Sequence, residues 1–162
     1  MPFSVKEIGD DPETRANIVC LNNANARETS PLDADKLARM IAEARVATLV
    51  DPGAAFLLAF DQSANYDNWN FMWFRQRYGT FLYIDRVVVA EAYRRRGLGR
   101  LLYDDCFLRA AHLGHQRIGC EVNVRPPIPV SDAFHASLRF TEIGRGTTAD
   151  GAKSVRYLLR DL

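Results

Sequence analysis

The stretch RVVVAEAYRRRGLGRLL, Arg86 to Leu102, runs a β-branched segment into three consecutive arginines and two spaced glycines, and then into an apolar helical pattern. A strand that feeds a helix through such a turn leaves the first amides of the helix unpaired at the positive end of its dipole, where an anion is the natural partner. Gly97 and Gly99 carry no side chain, so the backbone can approach that anion closely, and Arg94, Arg95, Arg96 and Arg100 can pair with phosphate oxygens. The stretch therefore predicts a phosphate-binding loop between a strand and a helix. It is not one of the common nucleotide loops, since it lacks G-x-x-x-x-G-K-[ST] and its glycines do not keep the G-x-G-x-x-G register.

The flanking sequence supplies the elements around this loop. FSVKEI alternates as a first strand, and helical spacing follows in DPETRANIVCLNNANARE and SPLDADKLARMIAEAR, with caps at Asp11 and at Ser30 or Asp33. VATLVD, AAFLLAF and TFLYIDRVVV are short, apolar or β-branched runs bounded by turn signals, as in neighbouring strands. The helix after the loop keeps Leu98, Leu101, Leu102, Cys106, Phe107, Ala110 and Leu113 on one face, and Gly114 offers its C-cap. RIGCEVNV reads as a strand, SDAFHASL as a short helix opened by Ser131, and SVRYLLRDL as a closing strand. The order is α/β with one mixed sheet, and at 162 residues, without a low-complexity linker, residues 1–162 are expected to form one domain.

Lys and Arg total 21 against 20 Asp and Glu, a net charge of +1, so no basic excess points to nucleic acid or to a membrane surface. Cys20, Cys106 and Cys120 are odd in number and far apart, which argues against a disulfide framework and against a metal site. The N-terminal residues carry no long apolar run, and no window is long enough to span a bilayer. The expected setting is the cytoplasm, with no metal, no nucleic acid and no membrane among the partners.

With these residues in view, the sequence resembles the Gcn5-related N-acetyltransferases, the GNAT superfamily, whose signature [Q/R]-x-x-G-x-[G/A] reads RRRGLG here. The resemblance runs from YIDRVVVAEAYRRRGLGRLLY through CEVNVRPP to SDAFHASLRFTEIG, about half the chain. It implies the family's β-α-α-β-β-β-α-β-α-β-β order: a mixed, mostly antiparallel sheet of six to seven strands flanked by about four helices. It also implies acetyl-CoA as acyl donor. By that resemblance the pyrophosphate lies on the amides of Arg95, Arg96, Gly97, Leu98, Gly99 and Arg100, with Arg94 beside them, while Val87, Val88 and Val89 offer backbone groups to the pantetheine arm.

Acyl transfer from a thioester to an amine needs a neutral amine, support for the tetrahedral oxyanion and a proton for the departing thiolate. The resemblance makes His135, in FHASLRF, the counterpart of a family tyrosine that donates this proton; a packing histidine is the competing reading. Strand alternation puts Phe81, Tyr83, Asp85 and Val87 on one face and Arg86 on the other, and Asp85 and Glu121 are the candidate bases, with structural ion pairs as the alternative. Two positions depart from the family pattern: Ile128 stands where an Asn usually contacts the cofactor, and Arg139 replaces the Gly of the LGF run. Asn123 offers an amide that compensates for the first. Tyr66, Trp69, Phe71, Trp73, Phe74 and Tyr78 either wall the acceptor pocket or bury their rings on the sheet or at a homodimer interface. The expected activity is N-acetylation of a primary amine on a small molecule or peptide by direct transfer. The alternative is a non-catalytic acyl-CoA-binding module.

Overall fold

The computed structural model describes residues 3–25, 29–125, 128–147 and 151–162; Pro126 and Pro127, at the end of the CEVNVRPP run, lie outside them. In chain order the elements are β1 (Val5–Glu7), α1 (Pro12–Asn23), α2 (Ala34–Glu43), β2 (Val46–Val50), β3 (Ala55–Asp61), α3 (Trp69–Arg75) and β4 (Leu82–Val89). A short 3-10 turn at Glu91–Tyr93 leads to α4 (Leu98–His112), β5 (Arg117–Arg125), α5 (Pro129–Ser137), β6 (Thr141–Thr147) and β7 (Ser154–Asp161). The strands form one sheet in the order β1-β2-β3-β4-β5-β7-β6, antiparallel except where β4 meets β5. This is the mixed sheet expected from the sequence, with five helices among the described residues rather than about four. The additional helix is α3, which lies between β3 and β4, where the family order has consecutive strands.

Local chemistry accounts for the helix starts. Asp11 accepts the amide of Thr14 at 2.9 Å, and Asp33, rather than Ser30, accepts that of Lys36 at 2.7 Å. Asn68 opens α3 by accepting the amides of Asn70 and Phe71 at 2.9 and 3.2 Å. The helix α5 starts two residues before Ser131, with Pro129 in its first turn, where a missing N–H costs nothing. It ends in a Schellman motif: the amide of Phe140 reaches the carbonyl of His135, that of Arg139 reaches Ala136, and Arg139 adopts φ 67°. The position that the family gives to Gly is thus a left-handed one, occupied here by a residue that pays for it in strain.

Two cores lie on opposite faces of the sheet. On one face, Leu98, Leu102, Tyr103, Cys106, Phe107 and Ala110 of α4 pack with Leu82, Ile84, Ile118, Cys120 and Val122. On the other, Ile18 of α1, Leu37 and Met40 of α2, and Phe71 and Phe74 of α3 pack with Phe56, Leu58, Phe60, Tyr83 and Tyr157. The sheet opens at one place. The strands β4 and β5 pair only at Leu82 with Ile118 and Tyr83 with Gly119, so their remaining lengths diverge into a cleft.

Candidate active site

Glu121 stands in this cleft, two residues beyond the last pairing of β5 and therefore on the face of Gly119, whose backbone lies against the Phe74 ring. Its Oε2 accepts the hydroxyl of Tyr83 at 2.5 Å. Burial pushes the carboxyl of Glu121 up to about 8; the Tyr83 hydrogen bond opposes the shift and the charge of Asp85 adds to it. Burial and the Glu121 charge hold the Tyr83 hydroxyl well above its ordinary value, so it acts as a fixed donor. Across the ladder from Glu121 stands Tyr157, whose ring is stacked on Trp73 with centroids 4.0 Å apart.

The opposite wall of the cleft carries Asp85, and its setting differs from the expected one. Leu58 pairs with Arg86 and Ala59 with Ile84, so Asp85 is the extra residue of a β-bulge. The bulge breaks the alternation read from the sequence: Val87 joins the α4 face, and Arg86 comes to the side of Asp85 instead of opposing it. Arg86 Nε donates to Asp85 Oδ2 at 2.7 Å, with both side chains almost fully buried. Its Nη1 donates to Asn22 Oδ1 and the Ser30 carbonyl at 3.0 and 3.1 Å, and its Nη2 to Ser30 Oγ at 3.1 Å. Tyr66 completes the set, donating to Asp85 Oδ1 at 2.5 Å. Asp85 is thus a bound anion with its oxygens engaged, whereas Glu121 is held by a neutral hydroxyl. The sequence offered both carboxylates as bases, with Glu121 placed slightly below Asp85, and it missed the clamp that Asn22, Ser30 and Tyr66 build around Arg86 and Asp85. Tyr83 was legible as a neighbour of Asp85 in the strand.

At the outer end of β4 lies the loop of arginines and glycines that leads into α4. Gly97 caps α4 at φ 77°, Arg95 also has a positive φ of 64°, and no side chain caps the helix. The amides of Leu98, Gly99 and Arg100 open the helix and have no preceding turn to bond to. Arg95, Arg96, Gly97 and Arg100 are exposed; Arg94, also exposed, donates to Asn25 Oδ1 at 2.6 Å. Leu98 is buried, its side chain packed in the α4 core. Val87 and Val89 pack against the α4 core and Val88 against the other. Asn123, one pleat beyond Glu121, shares its face.

The geometry of His135 does not suit the donation of a proton. The ring is buried, and its Nδ1 lies 2.8 Å from the Ser131 carbonyl, which can only accept, so Nδ1 carries the hydrogen. Nε2 lies 2.7 Å from the Tyr103 hydroxyl and accepts from it. Both nitrogens are engaged, and burial lowers the pKa of the imidazole, disfavouring the charged form that would have a proton to give. The imidazole packs edge-on against Tyr103, Phe134 and Phe140 as part of the α4–α5 contact.

A family model described as the acetyltransferase (GNAT) family matches residues 41–138. The chain belongs to the GNAT family. Its fold recurs in solved GNAT structures. The ribosomal-protein-S18-alanine N-acetyltransferase of Escherichia coli superposes with a TM-score of 0.70 at 15% identity, over 99% of this chain and 94% of that one. The NAA60 protein of Arabidopsis thaliana, solved with acetyl-CoA, gives 0.75 at 12% identity over 99% and 100%. An aminoglycoside 6'-N-acetyltransferase complexed with coenzyme A gives 0.73 at 15% identity over 97% and 96%. No curated protein matches the sequence itself. Among the described residues of this GNAT chain no group of three His, Cys, Asp or Glu side chains is disposed to hold a metal, and no helix is long and apolar enough to cross a membrane.

Proposed function

We propose that the chain moves the acetyl group of acetyl-CoA directly to a primary amine in the cleft between β4 and β5, with Glu121 as general base. The observation that carries this reading is the single carboxyl held by Tyr83 in the cleft, tuned by burial into the range where amines titrate. The loop from Arg94 to Arg100 and the first amides of α4 hold the pyrophosphate, and the backbone of Val87 to Val89 lines the pantetheine arm. The amine nitrogen attacks the thioester carbonyl, the C–N bond forms, the C–S bond breaks, and the electron pair leaves on sulfur. Glu121 accepts the ammonium proton. With a pKa of about 8 it is close to an α-amino group, near 7.7 to 8.0, so the transfer is almost balanced. A thiol titrating near 8.5 can leave as the anion close to neutral pH, so His135 is not required in the proton path. Asp85, fixed by Arg86 and Tyr66, stays a structural anion beside the base.

The test is thiol release as a function of pH with an amine whose own pKa lies near 10, outside the window. The wild type should show kcat/KM rising to a shoulder near pH 8, and Glu121→Gln should lose that shoulder and about a hundred- to ten-thousand-fold in turnover. A Glu121→Gln protein with full turnover removes the base. A folded wild type that binds acetyl-CoA but acetylates no amine is instead a binding module.

A further inference from the structure

The connection from β3 to β4, residues 62–81, is long for two antiparallel neighbours, and it is fixed along its path. The amide of Asn65 donates to Glu43 of α2 at 2.6 Å, and the Tyr66 ring stacks on Phe60 with centroids 4.3 Å apart. The Tyr66 hydroxyl ends on Asp85 in the bulge of β4. Three residues on, Trp69 lies over β6, so close that a Cβ on Gly146 would come within 2.7 Å of its ring. Asn70 Oδ1 then accepts the hydroxyl of Tyr157 at 2.9 Å, and Tyr157 is the cross-strand partner of Glu121.

A chain that passes from β4 to β7 and β6 on this face has to cross β5, and both anchors lie at the level of Glu121. The segment Tyr66 to Asn70 therefore runs across the cleft above the base. One large apolar group in it is left uncovered: Trp69 is 49% exposed, although one side of its ring is packed on β6. Asp67, exposed in the same segment, adds a negative charge that favours an incoming ammonium.

We infer that Tyr66 to Asn70 is a rigid wall that selects the acceptor, and that Trp69 reads the body carrying the amine, a flat apolar group such as an aromatic ring one or two carbons from the nitrogen. This rests on the reading of Glu121 as the base, which places the amine beneath the segment. An exposed indole face in the segment that crosses above the base rewards an aromatic body by stacking and desolvation more than it rewards a hydroxyl-bearing one. A free arylalkylamine and a peptide with an aromatic first residue share this chemistry.

Two pairs of acceptors distinguish these sources and test the wall: 2-phenylethylamine against ethanolamine, and a tetrapeptide beginning with Phe against one beginning with Ser. The wild type should favour the aromatic member of at least one pair by about tenfold in kcat/KM. Trp69→Ala should bring that ratio close to one, and Trp69→Phe should keep most of it, with the KM for acetyl-CoA the same in all three proteins. An unchanged ratio in Trp69→Ala, a wild type without preference, or no acetylation of any of the four overturns the inference. The base is tested separately, because a Glu121→Gln protein of full turnover whose preference still depends on Trp69 would remove the base and keep the wall.

Discussion

Glu121 does its proposed chemistry at the expense of the fold, and the sign of that expense is testable. A carboxyl raised to about 8 in the folded chain binds a proton that the unfolded chain, titrating near 4.3, has already released across the window between. The folded state holds more protons there, so stability falls as pH rises, by at most about 1.4 kcal/mol per pH unit from this group. Glu121→Gln should therefore be close to wild type in stability near pH 5 and more stable at pH 8, the gap opening steadily between. Urea unfolding of both proteins at four pH values in this range measures it, and parallel curves would show that the carboxyl is not held protonated. His135 acts with the opposite sign. Its lowered pKa means that the unfolded chain takes up the proton first, so its contribution is lost as pH falls below about 6.5. The same single residues mark the limit of sequence reading at this scale. His135 sits in the motif of a proton donor, but the Ser131 carbonyl and the Tyr103 hydroxyl that occupy its nitrogens come from a neighbouring turn and a neighbouring helix.

At the scale of elements, the helix α4 and its loop were readable because their signal is local: bare glycines, arginines and a helical apolar face lie consecutively in the chain. The two glycines of RRRGLG nonetheless have separate tasks. Gly97 has φ 77° and open space where a Cβ would stand, so its constraint is the backbone and whatever approaches it. Gly99 lies within α4, where an added Cβ would meet the Phe134 ring at 3.5 Å, an ordinary contact. Gly97→Ala should thus cost about 1 kcal/mol of stability and most of the acetyl-CoA affinity, while Gly99→Ala should keep the affinity and gain up to about 1 kcal/mol from helix propensity. Calorimetry with acetyl-CoA and thermal unfolding separate the two, and equal losses in both variants would contradict this division. The helix α3 was not readable, because Trp69, Phe71 and Trp73 alternate in the manner of a strand and are strand-favouring residues. What makes these seven residues a helix is the Asn68 cap and packing against strands distant in sequence. The bulge at Asp85 was equally hidden, since one extra residue in a strand leaves composition unchanged and reverses every face beyond it.

The whole molecule is a sheet divided where β4 leaves β5, so the half that ends at β4 has to be held by ties of its own beside the cleft. Arg86 gathers four segments on one side of the divide: α1 through Asn22, the α1–α2 connection through Ser30, the bulge through Asp85, and, through Asp85, Tyr66 ahead of α3. A buried ion pair of this kind contributes little net stability against a well-packed apolar replacement, because desolvation offsets the attraction, but loss of one partner leaves the other charge buried. Arg86→Met should therefore cost about 3 to 5 kcal/mol, a large part of the 5 to 15 kcal/mol typical of a domain. Asp85→Asn removes the charge that Arg86 neutralises and should cost less, since Asn22 and Ser30 still accept from the guanidinium. The double variant carries neither charge, and its cost should fall short of the sum of the single costs by about 1 to 3 kcal/mol. Urea unfolding of the four proteins closes the cycle. Additive costs would mean that Arg86 and Asp85 act independently, and the clamp would then be a packing contact of α1 and not an electrostatic tie across the acceptor side of the cleft.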